Sequence, residues 1–388
     1  TTNPAARELV RRYQKRPYEE LYDRVNDPDE HHNLADAPKY AKIKKQLSKK
    51  LDAWMEREGD KGNETEMEAF EHQNSGQKGA QKAFLTSRPE DPRILLADPF
   101  IFEDKGIYYI YGTCAPDGIL CYRSLDLEHW EGPVGKVQGV KTKGLALSSK
   151  HSWGDHSFWA PEVYKLKNGR YAMVYSVQTR IAIAFSDSPM GPFKPEGDEL
   201  FTPDQNSIDN HIFVDDDGQA YIYWVRFGLG KGNEIRVAKL SDDFKTIVSE
   251  QFECLHSEEP WERQMGKVTE GPFVLKHEGT YYLTYSANDF HSKDYAVGYA
   301  TSSSPLGPWK KYEGNPILHN ADGNVGCGHH AFFRTYDGEL YVVFHAHNSD
   351  EKITPRQTLI APAGFEETAS GPDKLVVNSE DLIYPIFY

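Results

Sequence analysis

Three acidic residues and one histidine stand at matching positions of a pattern that the chain repeats five times. Each copy is a short strand, a turn glycine and a second strand rich in aromatic and β-branched residues, which is typical of a β-hairpin. Two carboxylic acids across a gap of sugar size can hydrolyse a glycosidic bond, because one protonates the leaving oxygen and the other activates water. The position nine residues upstream of the turn glycine, or eight in the first copy, holds Asp98, Ala160, Asp209, Glu270 and His329.

A ring of repeats would bring these side chains together. The copies lie about 50–60 residues apart, a spacing that suits propeller blades of four strands. The first strand of each blade lines the central axis, so equivalent positions of distant blades converge at one end of the channel. The sequence therefore predicts an all-β fold, a five-bladed β-propeller over residues 91–388. The strand-like run from Leu375 to Tyr388 would either complete the first blade or pack across the propeller.

The setting of Glu270 favours the role of proton donor. It lies between Thr269 and Gly271, with little local bulk, so that its side chain could reach into a cleft. A neighbouring negative charge would raise its pKa, as a general acid at neutral pH requires. A single acid at the start of a strand is more often a turn or cap residue. Turn residues would recur in every copy, however, whereas the second and fifth copies carry Ala and His.

Composition excludes several other functions. The net charge of -15 over 388 residues argues against nucleic acid as a partner, since no basic field would offset phosphate repulsion. No run of about 18 apolar residues predicts a membrane-spanning helix. Four scattered cysteines predict neither a disulfide scaffold nor a zinc site. We expect a secreted or periplasmic protein, with any export signal outside this sequence.

The first 60 residues differ from the repeats. Apolar residues at helical spacing predict one amphipathic helix, preceded by a short strand and a turn, and thus a small α/β appendage. Residues 61–90 are polar and rich in Gly, Gln, Glu and Lys, which predicts a linker. The apolar stripe of the helix consists of Tyr40, Ile43, Leu47, Leu51 and Trp54.

The appendage resembles the C-terminal end of type I sulfatases. The resemblance rests on residues 20–23 (Glu-Leu-Tyr-Asp), 26–28 (Asn-Asp-Pro) and 33–35 (Asn-Leu-Ala) ahead of the helix, with Glu30 between them. The sulfatase signature, a Cys or Ser followed closely by Pro and Arg, is absent, so this segment should have no sulfatase activity. The resemblance implies a fusion of a sulfatase to a second enzyme. A helical appendage that only aids solubility is the alternative.

Residues 92–388 resemble glycoside hydrolase family 43, a family of five-bladed propellers with inverting exo-activity. The motifs that carry the resemblance are Ala97-Asp98-Pro99, Trp159-Ala160-Pro161-Glu162, Ile208-Asp209, Glu270-Gly271-Pro272 and Gly328-His329-His330.

The resemblance implies a role for each matching residue. Asp98 would be the general base, Glu270 the general acid, and Asp209 the residue that tunes the pKa and orientation of the acid. His329 would sit beside a calcium ion or a water cluster in the channel, although the chemistry itself needs no cofactor. The predicted substrate contacts are Trp159, His211, His329 and Arg356, of which His211 departs from the usual family pattern.

These observations predict an exo-acting, inverting glycosidase that releases a terminal pentose from an oligosaccharide or polysaccharide. The preferred sugar is β-D-xylose, and α-L-arabinofuranose is the alternative within the class. Inversion would place the carboxyls of Asp98 and Glu270 about 6.5–9.5 Å apart, and retention about 5 Å. The sulfatase-like segment suggests a sulfated algal substrate beside plant polymers. A non-catalytic carbohydrate-binding propeller, or one that targets a sulfatase, is the alternative from another class.

Overall fold

The structure is a computed structural model that describes residues 19–27, 31–58, 91–197, 206–228 and 230–387. The chain forms two compact units, Thr1–Asp91 and Pro92–Tyr388. The predicted linker, residues 61–90, lies outside the described residues. Within the described residues, no helix combines the length and the apolar character needed to cross a membrane.

Residues 19–27 and 31–58, the described part of the N-terminal unit before residue 91, form a turn followed by a helical segment. A short 3-10 helix, Pro38–Tyr40, leads directly into α1, Ala41–Glu58. The predicted short strand does not form among residues 19–27 and 31–58. The backbone N–H of Leu34 donates a hydrogen bond of 2.7 Å to the carbonyl of Leu21, and this single bond does not make a strand pair. Four of the five residues of the predicted apolar stripe lie on α1, and the fifth, Tyr40, ends the 3-10 helix before it. The side chains of Ile43, Leu47, Leu51 and Trp54 remain 47–55% exposed within this structure.

The second unit is the predicted five-bladed propeller. The first blade contains β1 (Ala97–Asp104), β2 (Ile107–Thr113), β3 (Gly118–Ser124), β4 (His129–Glu131) and β5 (Leu145–Ser148). The second contains β6 (Phe158–Lys165), β7 (Tyr171–Val177) and β8 (Arg180–Ser186). The third contains β9 (Ser207–Val214), β10 (Ala220–Arg226), β11 (Glu234–Leu240) and β12 (Phe252–His256).

The remaining strands form two more blades and close the ring. The fourth blade contains β13 (Thr269–His277), β14 (Thr280–Ala287), β15 (Ala296–Ser302) and β16 (Lys310–Lys311). The fifth contains β17 (Gly328–Arg334), β18 (Leu340–Ala346), β19 (Gln357–Glu366) and β20 (Lys374–Val377). In the second to fifth blades, neighbouring strands run antiparallel and follow one another in the chain, and in the first blade β1 to β4 do the same while β5 pairs with β3. Two 3-10 helices, Pro260–Arg263 and Ala321–Gly323, lie in the connections.

The end of the chain completes the first blade. Strand β21 (Ile386–Phe387) pairs in parallel with β4, and Ile386 also bridges to Arg93. The first blade therefore holds strands from both ends of the propeller sequence, which closes the ring without an exposed edge there.

Tyrosines of the middle strands link neighbouring blades. Tyr111 on β2 donates a hydrogen bond of 2.6 Å to the carbonyl of Pro189 in the second blade. Tyr223 on β10 donates one of 2.5 Å to the carbonyl of Pro305 in the fourth blade. Both acceptors belong to matching turns of the sequence Ser-Pro-x-Gly-Pro. Each such hydrogen bond contributes about 0.5–1.5 kcal/mol to the stability of the fold. Removing the tyrosine hydroxyl would cost more, because the buried carbonyl would be left without a donor.

Candidate active site

A β-bulge opens the innermost strand of every blade. Between the first and second strands the register slips at the same point in all five hairpins, for example between Ala97 and Phe100. One residue of each bulge has a positive φ angle, which turns its side chain away from the normal alternation. These residues are Asp98 (50°), Ala160 (42°), Asp209 (54°), Gly271 (56°) and His329 (43°).

Glu270 is therefore one residue away from the position that the repeat predicted. The residue equivalent to Asp98 and Asp209 is Gly271, and Glu270 comes directly before it. Hairpin length explains the error: two turn residues join the strands in the first and fourth blades, and five join them in the others. Counting back from the turn glycine therefore reaches the bulge after eight residues in two blades and after nine in three.

Most bulges are held by a polar side chain from the preceding blade. The backbone N–H of Asp98 donates to Nδ1 of His345 (3.1 Å), and that of Ala160 donates to Oγ1 of Thr113 (3.0 Å). The backbone N–H of Asp209 donates to Oγ of Ser176 (2.9 Å), and that of His329 donates to Oγ of Ser286 (2.7 Å). The corresponding place before the fourth blade holds Val225, which cannot accept. There the carboxylate of Asp209 accepts the hydrogen bond from Gly271 N–H instead, at 3.3 Å. This bond ties Asp209 to the backbone that carries Glu270.

Asp98 is buried among hydrogen-bond donors and positive charge. Its Oδ2 atom accepts a 2.5 Å hydrogen bond from Thr113, and Oδ1 lies 3.2 Å from Nη1 of Arg356. Nitrogens of His329 and His345 lie 3.3 and 3.4 Å from the same oxygen. Burial alone would raise the pKa of Asp98, but Arg356 and the two imidazoles hold it well below its usual range. Asp98 is therefore ionised, as a general base must be.

Glu270 has the opposite electrostatic setting. Its Oε1 atom accepts a 2.8 Å hydrogen bond from the hydroxyl of Tyr295. Burial raises the pKa of Glu270 to about 7, and the charges of Asp98 and Asp289 act in the same direction. The hydrogen bond from Tyr295 and the charge of Arg356 oppose this rise. The main cause is thus burial rather than the neighbouring charge that the sequence suggested.

The carboxyl of Asp209 interacts electrostatically with that of Glu270. Burial raises the pKa of Asp209 well above its usual range, with Glu270 and then Asp98 adding to the effect, and the Gly271 N–H opposes it. Because the two carboxyls interact, they lose their protons in two steps, and the pKa of each step is a property of the pair rather than of one residue. The site therefore contains one ionised carboxylate, Asp98, and a pair that retains a proton near neutral pH.

Two acids of opposite protonation state are what hydrolysis of a glycosidic bond requires. The family model described as glycosyl hydrolases family 43 matches residues 93–368. The chain belongs to this family. A β-xylosidase from Xylanibacter ruminicola is 28% identical over 306 residues, which cover 66% of this chain and 88% of the relative. A xylosidase/arabinosidase from Bacteroides ovatus is 29% identical, covering 66% and 86%.

Solved structures agree with this family. A crystal structure described as an endo-1,4-β-xylanase from Bacteroides thetaiotaomicron has 39% sequence identity and a TM-score of 0.69. The match covers 78% of this chain and 100% of that one. The chain is accordingly a family 43 glycoside hydrolase with a five-bladed propeller.

His329 occupies the position beside the acids where the family resemblance implied an ion or a water cluster. Its Nδ1 atom is 3.3 Å from Oδ1 of Asp98 and 3.9 Å from Oδ2 of Asp209. A cavity of about 10 Å³ next to it is lined by Glu162 and by Asn210, whose buried Oδ1 lacks a hydrogen-bond partner. That space suits one water molecule.

Calcium fits these surroundings poorly, because it takes six to eight oxygen ligands. Among the described residues, the only converging group of three metal-ligating side chains lies elsewhere. It consists of His277 at the end of β13, Glu278 directly after it and Asp373 directly before β20. A calcium ion held by protein side chains alone therefore does not fit beside His329.

The other predicted substrate contacts lie in different surroundings. Arg356 pairs with Asp98, and its guanidinium packs 4.6 Å from the ring centre of Phe290. Trp159 is half-buried directly before the bulge of the second blade, the same strand position as Glu270. Its contact with substrate remains a prediction.

The structure does not bring His211 to the acids. Its Nδ1 atom lies 3.1 Å from Oε2 of Glu162, and its ring centre lies 4.1 Å from that of Phe273. The residue is only 3% exposed. It follows the bulge by two residues, where the strand alternation turns its ring into the interior of the propeller. The expectation of a substrate contact at His211 therefore has no support in this geometry.

Three residues that contact the acids were missed in the sequence. Thr113 is the last residue of β2 and His345 the last but one of β18, and they pair with Ala97 and Gly328 beside the bulges. That register could have identified them once the bulges were known. Tyr295 follows β14 in a connection with no repeat counterpart, so no pattern pointed to it.

Proposed function

We propose that this protein is an exo-acting, inverting glycosidase that releases terminal β-D-xylose from a plant or sulfated algal polysaccharide. The observation that carries the proposal is the opposite electrostatic setting of Asp98 and Glu270 within one site. The names of the relatives, β-xylosidase and xylosidase/arabinosidase, support xylose as the preferred sugar.

The proposed mechanism assigns one proton transfer to each acid. Protonated Glu270 gives its proton to the glycosidic oxygen as the bond to the anomeric carbon breaks. Ionised Asp98 takes a proton from a water molecule, whose oxygen attacks that carbon from the opposite face. Asp209 stays bonded to Gly271 N–H and holds the backbone of the acid in place. The configuration of the sugar is inverted because the water enters opposite to the leaving group.

A panel of substrates tests the proposal. We expect hydrolysis of an aryl β-D-xyloside and of short xylo-oligosaccharides from one end, with α-xylose as the first product in the proton NMR spectrum. First appearance of β-xylose would contradict inversion, and release of internal fragments would contradict exo-action. Hydrolysis of neither a xyloside nor an arabinofuranoside would favour a carbohydrate-binding propeller.

The alternative within the class is an α-L-arabinofuranosidase. Several relatives carry that activity in their names, including an arabinoxylan arabinofuranohydrolase from Bacillus subtilis that is 29% identical. The same panel separates the two, since kcat/KM for the aryl α-L-arabinofuranoside would then exceed that for the xyloside.

We further propose that the N-terminal unit is the end of a sulfatase fold in a bifunctional protein, secreted or periplasmic. The exposed apolar stripe on α1 supports this, because such a stripe normally packs on further protein. The chain lacks the sulfatase signature, so we expect no sulfate release from an aryl sulfate while xyloside hydrolysis proceeds. Release of sulfate by the purified chain would contradict the assignment of this segment.

A further inference from the structure

One hydroxyl group contacts the acid directly. Tyr295 is fully buried, and its Oη atom lies 2.8 Å from Oε1 of Glu270. Two neighbouring residues of the fifth blade contact the ring. It stacks on His345 with ring centres 5.7 Å apart and planes 12° apart. A Cβ atom on Gly328, which pairs with His345, would lie 2.2 Å from the tyrosine ring. The next blade therefore keeps a slot open for this ring.

While Glu270 is ionised, the direction of this hydrogen bond is fixed, because a carboxylate oxygen can only accept. Burial raises the pKa of Tyr295 well above its usual value, and the negative charge of Glu270 adds to this, so the phenol keeps its proton. The hydroxyl thus donates and Oε1 accepts. Oε1 can accept in both states of Glu270, as a carboxylate oxygen or as the carbonyl oxygen of the acid. When Glu270 is protonated, the hydroxyl continues to donate to Oε1 if the proton of the acid lies on Oε2.

We propose that Tyr295 is a positioning residue that keeps the transferable proton of Glu270 on Oε2, the oxygen left free to face the glycosidic bond. This inference rests on the function proposed above. The same contacts connect acid and base, since His345 stacks on Tyr295 and accepts the backbone N–H of Asp98. A carboxyl free to rotate would present its proton in the productive direction for only part of the time.

The charge of Glu270 responds to every group that faces it. Asp98 on β1, Asp209 on β9 and Asp289 after β14 disfavour its ionised form. Arg356, before β19, and the hydroxyl of Tyr295 favour that form. Only the hydroxyl can be deleted without changing a charge or emptying a space, because Tyr295→Phe removes a single oxygen atom.

Tyr295→Phe is expected to move the alkaline limb of the kcat/KM profile to higher pH by about one unit, because a hydrogen bond that favoured the carboxylate is lost. At low pH, where Glu270 is protonated in both proteins, we expect kcat on a xyloside with a poor leaving group to fall about 3–10-fold. KM should change little. A loss of activity through damaged packing alone would leave the limb where it is.

Tyr285→Phe is the matched control. Tyr285 is also fully buried, and its hydroxyl also donates to a buried glutamate, Glu262 Oε1, at 2.6 Å. Its loss should lower stability and leave the pH profile unchanged. An alkaline limb in Tyr295→Phe that coincides with the wild type would overturn the inference.

Two further measurements cover the remaining outcomes. Carbon NMR of protein labelled at the glutamate carboxyl, with Glu270→Gln to identify the signal, should show the same upward shift without any need for turnover. If the wild type hydrolyses no pentoside, the proposed function fails, and this titration still decides whether Tyr295 controls the carboxyl.

Gly328→Ala replaces Tyr295→Phe if the latter does not fold. The added methyl group pushes the ring of Tyr295 from its slot, so the NMR titration should show the same upward shift in the pKa of Glu270. An unchanged signal would overturn the inference.

Discussion

Replacing Glu270 with Gln is expected to lower kcat about 10²–10⁴-fold on xylosides with poor leaving groups and to raise thermal stability above pH 7. Glutamine has no proton to transfer, yet its amide oxygen can still accept the hydrogen bond from Tyr295. Activated aryl xylosides, whose leaving groups need little protonation, should lose less activity. Kinetics on both substrate types and melting curves from pH 5 to 9 measure the two effects.

The gain in stability follows from the pKa of Glu270, about 7 in the folded protein against a reference value of 4.5. A carboxyl whose pKa is higher in the folded than in the unfolded protein stabilises the fold at pH values below its unfolded pKa. This contribution is lost as the pH rises through the folded pKa. Well above pH 7 the ionised, buried Glu270 costs about 3 kcal/mol, at about 1.4 kcal/mol per pKa unit. Glutamine removes that cost, and the advantage should disappear below about pH 4.

Glu262→Gln is the matched control, and the opposite result is expected. Glu262 is fully buried, lies 2.8 Å from Nζ of Lys311, and accepts the hydrogen bond from Tyr285. Its replacement removes the nearer of the two acidic partners of Lys311, leaving Glu258 at 3.6 Å, and should destabilise the protein without reducing kcat. Near-normal turnover of a poor leaving group by Glu270→Gln would contradict the assignment of the general acid.

The repeat predicted the fold and the convergence of the acids because it is a long-range pattern with a simple geometric consequence. Five similar hairpins at propeller spacing leave few other arrangements, and the structure confirms the ring. The exact register was not predictable from the glycine spacing. The bulge lies at the same point in every blade, but a two-residue turn brings its glycine one residue closer to the bulge than a five-residue turn does, and this moved Glu270 from the expected position.

The missed contacts follow from the same limit. His345 and Thr113 reach the site because a blade's second strand lies beside the next blade's bulge, a relation between segments far apart in sequence. Tyr295 depends on a slot left by Gly328, which only packing reveals. His211 shows the reverse error, since closeness to Asp209 in sequence placed it near the acids although the strand turns it inward. The repeat of the five hairpins was thus reliable, whereas the exact register within a hairpin and the contacts between blades were not.

Asp98→Asn is expected to lower kcat about 10²–10⁴-fold on every substrate, whatever its leaving group, because asparagine cannot take a proton from water. The change should also destabilise the protein at pH 7 by about 3–5 kcal/mol, since Arg356 loses its charged partner in a buried pair. The pKa of Asp98 is held below its usual range, so its stabilising effect is present above about pH 4 and lost as pH falls through the folded pKa. The difference in melting temperature should therefore narrow in acid.

Asp215→Asn separates the two effects of that change. The side chain of Asp215 is 9% exposed, like that of Asp98, and it pairs with Nζ of Lys276 at 2.5 Å in the turn between β9 and β10. It too should cost stability, but at the far end of the strand from the bulge it should leave kcat unchanged. If Asp98→Asn loses stability and keeps its turnover, Asp98 is a structural ion-pair partner and a different group must activate the water. Loss of kcat in Asp98→Asn alone, on activated and poor leaving groups alike, is the result that the general-base role requires.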